Sequence, residues 1–338
     1  MKDNEITLRM GSGHGELVTY VAFMKNQFAK NVSERAAKET KYTVKFNHHY
    51  GGSLVKVFDT LEGVQDGRLD IGGWCVCFDD DKAMALNITY FVPFGEPDGR
   101  KNQKVMLRLL KEFPELYQDL DKRYNQRLLS MGGFGNYGLM TGFDWNEFKD
   151  LNNRKILAAG PNLPWLEGIA IPVRTTIPTA AQQLSTGVGE GIVLFPDTNY
   201  KLKFHEASGK NTVYALTDFG NIIQNVLSIN KRTEARLPPE VLKIIEEEAV
   251  KWGTDSTAKS VVDHDWGIEQ LRKAGVKIKE ISPEVRKAWA ERLKDWPNER
   301  AQDVKAKKGI DMPKIMRAYI KYMEEGGHKH PIDYQIKG

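Results

Sequence analysis

The stretch GGSLVKVFDTLEGVQDGRLDIGGW, residues 51–74, decides the fold. It opens on a glycine turn, and Ser53 is placed to cap a helix. Leu54, Val57, Phe58, Leu61 and Val64 recur at three- and four-residue steps and form one apolar stripe. Asp66-Gly67 stops that helix, since glycine accepts the left-handed conformation at a helix end. Leu69-Asp70-Ile71 comes next as a short buried strand. It ends in Gly72-Gly73, where the backbone can turn sharply or approach a neighbour closely.

Working outward, ITLRM (6–10) is a strand and Gly11-Ser12-Gly13-His14-Gly15 a tight turn. Leu17, Tyr20, Val21, Met24, Phe28 and Val32 then mark a long helix, and YTVKFNHHY (42–50) alternates as a second strand. Strand, helix, strand implies a parallel sheet with helices on its faces. The pattern returns in TIPTAAQQLSTGVGEGIVLF (176–195), where Gly187-x-x-Glu190 occupies the place of Gly67-x-x-Asp70. KILAAGPN (155–162) supplies a strand and turn ahead of this second copy. Two similar α/β lobes would produce such an echo. From 239 the chain is mostly helical, with Ser282-Pro283 and Asp311 opening two of the helices. No long Pro/Gly/Ser linker occurs, so short crossing strands are expected to join the lobes.

The bulk numbers narrow the function. The 338 residues suggest two domains, at roughly 100–200 residues each. A net charge of +4 with interspersed signs gives no case for nucleic acid. No run of about 18 apolar residues is present to span a membrane. MKDNEITLRM carries no apolar signal region, which leaves a cytosolic protein or a mature form with a replacement methionine. Cys75 and Cys77 would share one strand face, a spacing poor for a disulfide and too little for zinc. They are expected to be small buried apolar residues.

Chemical motifs are few. In GSGHGE (11–16) the third glycine of a dinucleotide fingerprint is Glu16, a carboxylate where a phosphate should sit. There is no P-loop lysine, nucleophile elbow or H-E-x-x-H. His48 and His49 point to opposite strand faces, and His328-Lys329-His330 is expected to be an exposed tail. Asp79-Asp80-Asp81 is either a solvated loop or an attractor for a cation. No nucleophile and base stand together, so neither an enzyme nor a cofactor or metal is expected. Aromatic residues crowd the glycine turns instead, among them Trp74, Phe78, Phe94, Phe134, Tyr137, Trp165 and Phe195. Ligands of open α/β sheets bind beyond the carboxyl ends of strands. Two such lobes facing each other make a cleft that closes by a hinge, which describes a solute-binding protein.

The signatures SLVKVFDTLEGVQDGRLDI, DLNNRKILAAGPN, QQLSTGVGEGIVLFP, FHEASGKNTVYALTDFG and NVLSINKRTEARLPPEVLKII occur in order over nearly the whole chain. In these the chain resembles the substrate-binding proteins of TRAP transporters, the tripartite ATP-independent periplasmic family. The resemblance implies an α/β, two-lobed type II periplasmic-binding fold with hinge strands and a long helix crossing both lobes. Lobe I is expected to take 1–132 plus about 222–255, and lobe II about 133–221 plus 256–310. A C-terminal helix and tail would occupy 311–338. It further implies a periplasmic protein that passes one small organic solute to membrane permease subunits, driven by an ion gradient. Trp74 to Phe78 would form the first lobe's side of the mouth.

Departures from the family pattern bear on the ligand. The arginine of K-I-R, which forks onto a ligand carboxylate, is Leu157 here. The asparagine before the proline is replaced, with Leu194 and Phe195 preceding Pro196. The family's second-lobe glutamate falls on Thr179, and a basic position of some members falls near Tyr137. A carboxylate buried without its arginine costs several kcal/mol. The solute is therefore expected to be neutral or aromatic, or cationic or zwitterionic with Asp79 or Asp197 nearby. Otherwise an acid would be held by Arg174 or His14. The candidate ligand-binding set is His14, Trp74, Cys75, Phe78, Phe94, Asn136, Tyr137, Leu157, Trp165, Leu194, Phe195, Asp197 and Asn221. A sensor subunit and an enzyme on the same scaffold are the functional alternatives.

Overall fold

A computed structural model of the chain describes residues 4–338. Among these the strands run, in chain order, β1 (Glu5–Gly11), β2 (Thr43–His49), β3 (Ile71–Cys75), β4 (Gln126–Asn136), β5 (Gly138–Thr141), β6 (Lys155–Ala158), β7 (Ile171–Arg174), β8 (Gly191–Leu194), β9 (Val213–Leu216), β10 (Asn221–Asn230) and β11 (Lys277–Glu280). They form two sheets, ordered β2-β1-β3-β10-β4 and β11-β9-β5-β8-β6-β7. The chain divides into two compact units. The first takes residues up to Leu86, Pro114–Gly133 and Ile223–Lys259, and the second takes Asn87–Phe113, Phe134–Ile222 and Ser260–Gly338. Strands β4 and β10 and the long helix Pro239–Lys273 give residues to both. Residues 87–113, placed by sequence in lobe I, cluster with the second unit, as do 311–338.

In the first unit β1 lies between β2 and β3, parallel to both, and β10 runs antiparallel to β3. The helix between β1 and β2 begins at Thr19, passes through a π segment at Met24–Ala29 and continues over Lys30–Glu39. Val21, Met24, Phe28 and Val32 are fully buried, so the periodic stripe does cover the sheet. Leu17 precedes the helix and is exposed. The second unit repeats the arrangement: β6 lies between β7 and β8, parallel to both, and β5 is antiparallel to β8.

The opening stretch departs from its sequence reading in two places. Its helix is short, Thr60–Gln65, with Asp59 rather than Ser53 at the N-cap position. Leu54 and Phe58 are exposed. A Cβ on Gly13 would lie 2.4 Å from the Val57 backbone nitrogen, so the chain at 57 packs closely against the β1 turn. The strand also lies further on than 69–71, at Ile71–Cys75, and runs straight through both glycines. A Cβ on Gly72 would sit 2.3 Å from Val64 Cγ2, and one on Gly73 2.2 Å from Met24 Sδ. The pair therefore serves close helix–strand approach, not a turn.

The two G-x-x-acid motifs perform the same task. Gly67 and Gly187 both adopt positive φ, 84° and 73°. Asp70 and Glu190 each stand one residue before their strand, β3 and β8. Asp70 N–H donates to Arg9 O at 2.8 Å, and Arg9 N–H donates back to Asp70 Oδ2 at 2.8 Å. Glu190 N–H donates to Lys155 O at 2.7 Å, and Lys155 N–H donates back to Glu190 Oε2 at 3.0 Å. A guanidinium completes each staple: Arg9 on Asp70 at 3.2 Å and Arg154 on Glu190 at 2.7 Å. Asp70 is buried and also accepts from Thr233 and Arg236.

The C-terminal helix Met312–Glu325 buries Ile315, Met316, Tyr319 and Met323 and docks through Tyr319 Oη to Asn102 Oδ1 at 2.9 Å. The tail after it is not the free H-K-H expected. His328 Nε2 is 3.0 Å from Phe94 O, and half-buried His330 packs edge-on against His328 and Tyr334. Ser282 is a cap as expected, accepting from Val285 N–H at 3.2 Å.

The staples differ in burial, which predicts a difference in cost. Asp70→Ala leaves Arg9 N–H and Thr233 without their acceptor and should destabilise by about 1–3 kcal/mol. Glu190→Ala removes a half-exposed pair and should cost about 1 kcal/mol or less. Burial pushes the Asp70 carboxyl up, but hydrogen bonds from Thr233 and from Arg9 outweigh it and hold it below the usual range. Its contribution is therefore complete above about pH 4, the unfolded value, and lost as pH falls further. Urea midpoints measured from pH 7 down to pH 3 should show a shallower acid limb in Asp70→Asn than in the parent.

Candidate functional site

In the first unit the end of β1 carries a buried polar chain. His14 Nδ1 is 3.0 Å from Tyr20 Oη, and Tyr20 Oη is 2.9 Å from Ser12 Oγ. Ser12 Oγ also accepts from His14 N–H at 3.2 Å. With Ser12 donating to Tyr20 and Tyr20 donating to Nδ1, each hydroxyl hydrogen has an acceptor and Nε2 carries the imidazole proton. Nε2 is buried with no protein partner. Burial pushes the His14 pKa down to about 4, so the ring is neutral at pH 7. Phe78 packs edge-on against it at 5.5 Å.

The remaining first-unit candidates fall into distinct roles. Trp74 is tied inward, donating from Nε1 to Ser228 Oγ at 3.0 Å, and Ser228 bonds onward to Gln126. Cys75 and Cys77 are buried as expected, but they form a disulfide, which corrects the sequence reading. Val76–Phe78 is a 3₁₀ turn, not strand, so Cys77 folds back to a Cα separation of 5.2 Å from Cys75. Asp79 is buried, with Lys82 Nζ 3.0 Å from Oδ1 and Oδ2 without a partner. Burial raises its pKa to about 6 despite the opposing pull of Lys82. Directly across the ladder from Cys75 lies Asn225, fully buried with neither amide atom partnered. Sequence reasoning missed Asn225. Its signal was a polar residue inside the apolar run NIIQNVLSIN.

In the second unit the expected aromatics do come together. Phe195 stacks on Phe134 at 4.4 Å and meets Tyr137 edge-on at 5.2 Å. Tyr137 Oη is 3.1 Å from Tyr90 Oη, and Trp165 Nε1 donates to Tyr90 O at 3.3 Å. Trp165 and Phe94 both pack on Phe219, at 5.2 and 5.3 Å. Tyr90 was not singled out from sequence, since one tyrosine in a mixed helical segment gives no pattern. Asn136 is satisfied at both ends, donating to Asp218 at 2.7 Å and accepting from Gly220 N–H at 3.0 Å. Asn221 Nδ2 donates to Phe134 O, while Oδ1 has no partner.

Leu157 is fully buried on β6 between β7 and β8. A Cβ on Gly189 would lie 2.4 Å from its Cγ, so the leucine fills the space above that glycine. Leu194 is buried, and its carbonyl accepts from Tyr214 Oη at 2.9 Å. Asp197 is engaged by Lys201 at 3.1 Å, which also reaches Asp263 at 2.9 Å. Burial still raises the Asp197 pKa. Asn162, in the turn after β6, is fully buried with Nδ2 and Oδ1 both without partners, and it too was missed. Among the described residues no cluster of three His, Cys, Asp or Glu side chains could hold a metal ion. No helix among them is long and apolar enough to cross a membrane.

Two sheets of the same parallel core order, with strands and one long helix shared between units, define the two-lobed type II periplasmic-binding class. The chain belongs to the bacterial extracellular solute-binding protein family 7, whose family model matches residues 19–302. That family is one of solute receptors, not of enzymes. No curated protein matches the chain. Among similar solved structures is a marine metagenome TRAP solute binding protein specific for pyroglutamate. It is 22% identical, covers 94% of this chain and 99% of its own, and has a TM-score of 0.79. DctP6 of Bordetella pertussis, an extracytoplasmic solute receptor binding pyroglutamic acid, is 20% identical over 93% and 99%, with a TM-score of 0.78. A TRAP solute binding protein of Rhodoferax ferrireducens T118, in complex with copurified benzoate, is 16% identical over 95% and 98%, with a TM-score of 0.81.

The buried His14 makes stability pH-dependent in a defined window. Its folded pKa of about 4 lies below the unfolded value, about 6.5. The unfolded chain therefore binds the proton first, and stability falls as pH drops from about 6.5 through 4. Melting temperatures of the parent and His14→Gln, measured from pH 7.5 to 4, should converge towards the acid end relative to their separation at neutral pH. Parallel curves would mean that His14 is hydrated in the folded protein.

Proposed function

We propose that this protein is the solute-binding component of a TRAP-type secondary transporter, working outside the cytoplasm and handing one small organic solute to a membrane permease. The family match supports the receptor role. The Cys75–Cys77 disulfide supports an oxidising compartment. The solute is neutral, with an apolar or aromatic body.

One observation carries the ligand reading. Several buried carboxylates are engaged by opposite charges, Asp70 by Arg9 and Arg236, Glu248 by Arg35 and Lys251, Asp197 and Asp263 by Lys201, whereas buried Glu96 accepts from Asp98 N–H. The buried polar side chains left with no partner on either amide atom are uncharged, Asn162 and Asn225, and His14 Nε2 is neutral. An acid would need a countercharge, and position 157, where the family resemblance implies an arginine, holds a packed leucine. The relatives that bind pyroglutamate or benzoate bind acids, so this chain would differ from them in ligand charge. One observation favours a cationic solute instead. Asp79 Oδ2 is buried and unpartnered close in sequence to Phe78, and an aromatic contact to an ammonium is worth about 0.5–2 kcal/mol.

Native mass spectrometry of the purified protein, followed by thermal shift against neutral aromatics, amines and carboxylic acids, tests both. A ligand at a hundredfold excess over its Kd stabilises by about 2.7 kcal/mol, several degrees in Tm. Neutral compounds should give the largest shifts. If amines dominate and Asp79→Asn abolishes their effect, the cationic reading replaces the neutral one. A largest shift from a simple carboxylate would overturn both.

A further inference from the structure

We infer that Asn162 is a specificity-determining residue that reads the edge of a cyclic amide, a lactam or ureide, on the transported solute. The inference rests on the receptor reading above. Among the described residues, Asn162 and Asn225 are the only amide side chains with both polar atoms buried and unpartnered. Each such atom destabilises the fold unless something meets it. A carboxamide presents one acceptor and two donors on a flat edge. A ring amide, whose N–H and C=O are locked on the same side, meets Oδ1 and Nδ2 together through two parallel hydrogen bonds. A ketone meets only the donor, and a carboxylate sets an anion against Oδ1.

The surroundings fit the same chemistry. Asn162 lies in the segment Gly160–Leu166, which also carries Trp165. Trp165 packs against Tyr90 and Tyr137, both 6.0 Å away, so flat rings already line this part of the unit. The segment starts where β6 ends, beyond the carboxyl end of a parallel strand, the usual ligand position in open α/β sheets. Leu157 on the same strand removes charge while Asn162 supplies a neutral donor–acceptor pair.

The test compares three probes by calorimetry on the full chain: oxindole, a ring lactam; 2-indanone, the same shape with CH₂ in place of N–H; and pyroglutamate, a lactam bearing a carboxylate. Oxindole should bind at least tenfold more tightly than 2-indanone and than pyroglutamate. Asn162→Asp, which replaces with an anion the donor that both carbonyls would meet, should weaken oxindole at least tenfold and weaken 2-indanone as well. Equal affinity for oxindole and 2-indanone overturns the inference, as does unchanged oxindole binding in a folded Asn162→Asp. If Asn162→Leu is as stable as the parent and binds oxindole equally well, waters alone satisfy the amide and the inference falls. If the probes fail while another solute of the thermal-shift panel binds, the amide reading is overturned and the receptor reading stands. If no solute of any class binds, both fail.

Discussion

Both sheets depend on one local arrangement, an acid that closes the mouth of a parallel ladder. A parallel strand cannot be held by a hairpin, so its first residue needs some other fixation beside its neighbour. Here the chain leaves a helix through a glycine at positive φ, and the next acid exchanges backbone and side-chain hydrogen bonds with the strand alongside. Asp70 does this for β3 on β1, and Glu190 for β8 on β6. The glycine sets direction and the carboxylate sets register. A slip of one residue would exchange the side chains of the two faces, both of which are buried in β3 and β8.

Anchoring the start of these strands also anchors the segments at their far ends. The chain leaves β3 through Trp74, the disulfide and Phe78, and leaves β8 through Leu194 and Phe195. These segments hold their place by interactions inside their own unit, such as the Trp74–Ser228–Gln126 chain and the Phe195–Phe134 stack. The Cys75–Cys77 bond adds stiffness to a three-residue turn that has little regular hydrogen bonding of its own. Residues pinned this way present their remaining polar atoms in fixed directions, which lowers the cost of ordering them on binding.

Strands β1, β2 and β6, the glycine stops, the repeated acid motif, the Ser282 cap and the family were legible in the sequence, because each rests on local periodicity or on a residue type with one conformational use. What escaped depends on contacts distant in sequence. The helix begins only at Thr60, and the chain at 57 packs against Gly13, a contact far upstream that the apolar stripe does not encode. The disulfide was missed because strand geometry was assumed where the chain makes a 3₁₀ turn. The H-K-H tail is held by Phe94 O, a partner that no pattern within the tail could reveal. Among the candidate ligand residues, the aromatic grouping in the second unit was legible from composition beside glycine turns. Asn162 and Asn225 were not, since an unpaired amide is a property of its surroundings and not of its neighbours in the chain.

The packing of Leu157 involves a second residue. Leu157 Cγ would lie 2.4 Å from a Cβ at position 189, so this leucine tolerates only glycine there. Position 189 lies inside the Gly187-x-x-Glu190 motif, which puts Leu157 and Gly189 into one packing unit. The leucine is thus part of a closed apolar contact and not an arginine site with its side chain trimmed. Restoring arginine alone would bury a guanidinium above Gly189 with the adjacent carboxylate, Glu190, already committed to Lys155 and Arg154. A buried, unpaired cation costs several kcal/mol. A guanidinium at position 157 would therefore require repacking of the β6–β8 contact.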